Sequence, residues 1–83
     1  MEFYLLIARS VTQAQHMVRV LEGCGIRGGM LRAPSGLTNR GCSYAVRIRA
    51  AQWPAARTCL DRAGLRPLGI YGREGSGYRE VER

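Results

Sequence analysis

Lysine is missing from this chain. All thirteen basic residues are arginine, and against six acids they give a formal net charge of +7 over 83 residues. An excess of that size suits an anionic partner, either nucleic acid or an acidic protein surface. The arginines are spread with no two adjacent, however, which fits solvated faces better than a binding run. Histidine occurs once, at His16. The three cysteines, Cys24, Cys42 and Cys59, form no Cys-x-x-Cys pair. A structural zinc site takes four such ligands in close pairs, so one chain does not build one. An odd cysteine count argues against a disulfide framework and points to reduced thiols in a cytoplasmic protein. No apolar stretch approaches the ~18–20 residues that span a bilayer. Met1-Glu2-Phe3 puts no basic segment ahead of its apolar run, as a signal peptide would. The expectation is one small cytoplasmic domain with no membrane partner. With 46% hydrophobic residues it is too apolar to be disordered, but a domain this short buries a limited share of its surface and has a thin stability margin.

Several elements are legible. Phe3-Tyr4-Leu5-Leu6-Ile7-Ala8 is an apolar run of strand formers. Ser10-Val11-Thr12-Gln13 matches a capping box, a hydroxyl with a glutamine three residues on. Ala14, Met17, Val18 and Leu21 follow at the spacing of one helix face, and Gly23 and Gly25 end the helix. Met30-Leu31-Arg32-Ala33 is a second short strand, followed by a loop from Pro34 to Gly41. Tyr44, Val46 and Ile48 alternate with Ala45, Arg47 and Arg49, the period of a strand with one buried face. Pro54 opens a second helix with Ala56, Cys59, Leu60 and Ala63 on its apolar stripe, stopped by Gly64. Leu65 to Tyr71 reads as a last strand, with Pro67 suiting an edge. The order β-α-β-β-α-β predicts an α+β, ferredoxin-like sandwich with both helices on one face of an antiparallel sheet ordered 4-1-3-2. Strands 2 and 4 are the expected edges. Residues 1–73 form the domain, and 74–83 read as a flexible tail.

That topology brings the loop after the first strand, with Arg9 and Ser10, to the same end of the sheet as Cys42 in Arg40-Gly41-Cys42-Ser43-Tyr44. Parity with Tyr44, Val46 and Ile48 turns Cys42 toward the helices. A thiol at a helix N-terminus is pushed toward thiolate, and Arg9, Arg32 and Arg40 add to the field. The competing reading is a small core cysteine that only packs. Cys59 falls on the helix 2 stripe and reads as core. Cys24, between glycines, reads as incidental, or as a partner that resolves an oxidised Cys42. His16 lies off the helix stripe and has no acid to pair with, so a Cys-His hydrolase does not fit. The glycines at 23, 25, 28 and 29 follow a helix instead of opening one, which is wrong for a phosphate loop.

The opposite sheet face is expected to show Tyr4, Leu6 and Ala8 beside Ser43, Ala45, Arg47 and Arg49. A homodimer or a docked protein would cover it. RNA is the weakest occupant, because only Tyr4 is aromatic there.

Four segments taken together carry a family resemblance: FYLLIARSVTQA at 3–14, Arg32-Ala33-Pro34, Gly41-Cys42-Ser43-Tyr44-Ala45-Val46-Arg47 and Gly69-Ile70-Tyr71-Gly72-Arg73. Their order resembles the small bacterial domain family DUF3343, the selenium/sulfur (Se/S) carrier protein-like family. Two departures stand out: Ser43 replaces a second glycine beside the cysteine, and Ala33 stands where threonine usually precedes Pro34. The resemblance implies a sulfur or selenium carrier with Cys42 as the carrier thiol, supported by Gly41, Arg40, Arg9 and Ser10. It needs no cofactor or metal, and it is a thiol carrier in place of a stand-alone enzyme. Its implied partners are a donor such as a cysteine desulfurase and a TusA-like relay protein. The rival is a non-catalytic ferredoxin-like module that acts through its open sheet face or as a homodimer.

Overall fold

A computed structural model of the protein describes residues 2–34, 44–75 and 77–82. Helices α1 (Val11–Gly23) and α2 (Trp53–Arg62) pack on one five-stranded antiparallel sheet. The strands are β1 (Phe3–Ala8), β2 (Gly29–Arg32), β3 (Tyr44–Arg49), β4 (Gly69–Glu74) and β5 (Gly77–Glu82). A short 3-10 turn (Ala50–Gln52) leads into α2. The sheet order is β2-β3-β1-β4-β5, so the expected 4-1-3-2 core is present and the α+β architecture is compatible with the ferredoxin-like fold.

Capping chemistry sets both ends of α1 and the C-terminal end of α2. Ser10 Oγ accepts from Gln13 N at 3.1 Å, while Gln13 Oε1 accepts from Arg9 N at 2.6 Å. This is the reciprocal cap expected from the sequence, with the glutamine reaching one residue beyond the N-cap. At the other end Gly25 takes φ +77 while Ile26 N donates to Leu21 O at 2.9 Å and Gly25 N to Glu22 O at 3.0 Å. Helix α2 ends in the same way: Gly64 has φ +71, and Leu65 N donates to Leu60 O at 2.9 Å. Left-handed glycine makes both stops cheap.

The main core lies between helices and sheet. Ala14, Met17 and Leu21 of α1 and Trp53, Ala56, Cys59 and Leu60 of α2 meet Leu6, Ala8, Val46, Ile48 and Ile70. Burying a side chain the size of leucine or methionine contributes about 1.5–3 kcal/mol. Gly28 permits the close approach of β2 to this layer, because a Cβ there would sit 2.8 Å from Val46 Cγ1.

Three expectations are corrected. First, Tyr4, Leu6 and Ala8 face the helices; Leu5 and Ile7 face the other way. Cross-strand partners share a face, and Tyr4, Leu6 and Ala8 stand opposite Ile48, Val46 and Tyr44. The run FYLLIA has no polar alternation from which its parity could be read. Second, the last strand starts at Gly69 and runs to Glu74, and Pro67 precedes it. Leu68 N donates to Ile7 O at 2.8 Å just before β4 begins. Third, much of the segment read as a tail is β5, paired along β4 past a register shift at Ile70/Tyr71. Gly75, at φ +59, makes the turn. The edges are therefore β2 and β5, and β4 is internal.

Candidate functional site

Three strand ends meet beside the start of α1. Ala8 closes β1 opposite Tyr44, and Arg32 closes β2 opposite the same Tyr44. Two residues beyond Ala8, Ser10 caps α1. The end of the sheet expected from topology is thus built, and Arg9 and Ser10 stand at it. Ser10 is committed to the cap, its oxygen accepting from Gln13 N. The first-turn N–H groups of Val11 and Thr12 precede any intrahelical acceptor and point outward from this end. Arg9 is exposed and lines a shallow groove with Gln13, Asp61, Gly64, Leu65 and Arg66. Arg32 is exposed at the end of β2. Cys42, Gly41, Arg40 and Ser43 lie outside the described residues, as does most of the loop expected from Pro34 to Gly41. Tyr44, the first described residue after them, is half-buried against the main core. Its side chain is on the helix side, as strand 3 parity requires.

The other two cysteines behave differently from expectation. Cys24 and Cys59 are joined by a disulfide, with Cα atoms 6.5 Å apart. The expectation of reduced thiols throughout, with Cys24 incidental, is overturned for this pair. Cys24 is the C-cap of α1, an exposed position, and Cys59 is on the buried stripe of α2. The bond arises because α1 and α2 pack side by side. Cys59 Sγ also lies 3.3 Å from Val20 O on α1, a contact that becomes an S–H···O hydrogen bond if the thiol is freed. The link stands at the opposite end of α1 from Ser10, about 20 Å away at 1.5 Å per residue. Cys24 is thus already partnered, at the opposite end of α1 from the N-cap Ser10. No local pattern marks the pair: 35 residues separate them, and only the helix packing brings them together.

His16 is exposed on α1, as expected of a surface histidine. Among the described residues no three His, Cys, Asp or Glu side chains gather to hold a metal ion. Nor is any described helix long and apolar enough to cross a membrane.

Comparison with known proteins adds one finding. The model of the family described as "Putative Se/S carrier protein-like" matches residues 3–72. No curated protein and no solved structure gives a significant match to the chain.

Proposed function

Because the chain belongs to the Se/S carrier protein-like family across residues 3–72, we propose that it carries sulfur or selenium on Cys42. The observation behind this reading is the shared sheet end. In sequence Cys42 and Ser10 are each two residues from the Ala8–Tyr44 pair, which supports a carrier thiol working at the start of α1. A thiol working at that end would meet the α1 N-terminus and the Arg9 charge, both of which favour a bound anion.

Loading is a sulfur transfer without net redox change. The Cys42 thiolate attacks the outer sulfur of a donor persulfide. A new S–S bond forms at Cys42, the donor's S–S bond breaks, and the donor leaves as its thiolate. Release repeats the step, with the acceptor's thiolate attacking the outer sulfur. A selenium cargo would follow the same course. A cysteine desulfurase is a donor of the right class, and a TusA-like protein an acceptor. The compartment proposed is the cytoplasm, where the thiol pools also set whether the Cys24–Cys59 bond stays closed.

Incubation with a persulfide donor followed by intact mass measurement tests this. Wild type should gain one sulfur atom and Cys42→Ser none. A wild type that stays unloaded, or a Cys42→Ser that loads equally, refutes the carrier.

A further inference from the structure

The corrected parity of β1 changes what the side of the sheet away from the helices offers. Tyr4 leaves that side and Phe3 takes its place, while β4 and β5 add Tyr71, Arg73 and Tyr78. The side divides into two halves. Toward Ala8 it is closed: Leu5, Ile7 and Ala45 are buried with Ala33, Leu68 and Tyr71 packed on them. Toward Phe3 it is open.

In the open half the register sets a row across four strands. Arg49 stands opposite Phe3. Phe3 is one step past the Tyr4–Gly72 pair and so lies beside Arg73. Arg73 stands opposite Tyr78. The row reads guanidinium, ring, guanidinium, ring over three strand spacings, about 14 Å. Phe3 and Tyr78 are each 39% exposed, large for aromatic side chains on a sheet. The Arg47 guanidinium carbon sits 4.8 Å from the centre of the Phe3 ring. Arg27 joins Arg47, Arg49 and Phe3 around one concavity at this end. Among the described side chains the acids nearby are Glu80, opposite Tyr71, and Glu2, beside Phe3 and Arg49. Four exposed guanidiniums outweigh these two.

We propose that this row binds single-stranded nucleic acid. The four guanidiniums meet backbone phosphates. Phe3, Tyr78 and the planar Arg47 guanidinium offer stacking surfaces to unpaired bases, which a duplex keeps covered. An acidic protein surface would use the charge but leave the two exposed rings unexplained. This surface is at the far end of the sheet from Ser10 and does not depend on the carrier reading.

The test is fluorescence anisotropy of a labelled single-stranded RNA of mixed sequence, about 12 nucleotides long, with the intact protein. Binding is expected at about 50 mM salt, weakening about 50-fold by about 200 mM if all four arginines contact phosphate. Phe3→Leu and Tyr78→Leu keep an apolar side chain and remove the ring. Each should weaken binding about 5- to 150-fold with the melting temperature of the protein unchanged, and Cys42→Ser should bind as wild type does. Three results overturn the proposal: no binding at about 50 mM salt, ring variants or a duplex binding as tightly as wild type binds the single strand, or polyglutamate displacing the RNA as effectively as unlabelled RNA.

Discussion

Breaking the Cys24–Cys59 bond should weaken the fold by an amount that follows from the length of chain it closes. The two cysteines are 35 residues apart. Cross-linking a loop of that length removes denatured-state entropy equivalent to about 3.8 kcal/mol at 25 °C. A domain of 83 residues has roughly 4–12 kcal/mol of total stability, so a third or more rests on one covalent bond. Each kcal/mol moves the melting temperature of a domain this size by about 4–8 °C, so the drop should be about 15–30 °C. Cys24→Ser is the clean perturbation. Cys24 is exposed, so serine there buries no hydroxyl. The freed Cys59 thiol keeps an acceptor in Val20 O at 3.3 Å and is not left as an unsatisfied polar group. Thermal unfolding followed by circular dichroism, with and without a reductant, measures the effect. Reduced wild type and Cys24→Ser should melt together, and the reductant should not affect the variant further. If reductant and variant each leave the melting temperature within about 5 °C of oxidised wild type, the bond does not constrain the chain and the entropy argument fails.

Two other measurements bear on the same structure. A thiol-reactive chromogen should titrate one cysteine per chain in the native, unreduced protein, namely Cys42, and three after denaturation and reduction; two or more reactive thiols in the native state would contradict the Cys24–Cys59 link. Ser10→Ala removes the α1 cap and should cost about 1 kcal/mol, whereas Gly28→Ala drives a Cβ onto Val46 and should cost about 1–3 kcal/mol. Denaturant midpoints rank the two, and a Gly28→Ala as stable as wild type would show that β2 does not need its close approach.

How far the sequence carries depends on the kind of signal each element leaves. Period 3.6 and glycine stops place α1 and α2, because Ala14, Met17 and Leu21 repeat at helical spacing and Gly25 and Gly64 need left-handed backbone. Period 2 places the β3 face, since Arg47 and Arg49 cannot share the core with Val46 and Ile48. The β1 face leaves no such signal: all six residues are apolar, and only the register with β3 assigns Tyr4, Leu6 and Ala8 to the helices. Strand β5 is hidden by composition, because Gly75 and Gly77 resemble a loose tail until Gly75 is seen to turn β4 back on itself. The Cys24–Cys59 link is a product of helix packing, with no trace in local spacing. Of the site, Arg9 and Ser10 fall where topology puts them, while Cys42, Gly41 and Arg40 fall outside the described residues.

Strand β5 decides which backbone groups the sheet leaves unpaired on that side. It lies beyond the residues matched by the family model, and without it β4 would present a six-residue free margin of backbone donors and acceptors. Such a margin recruits strands from other chains and is a route to aggregation. With β5 in place, the outermost strand on that side carries exposed Arg79 and Glu80, the kind of charge that discourages further strand addition. The opposite margin, β2, is only four residues long and ends on Arg32. Short length guards one side of the sheet and added charge the other, and β5 also packs Val81 against the main core. Deleting residues 77–82 should therefore show itself first in the solubility of the protein.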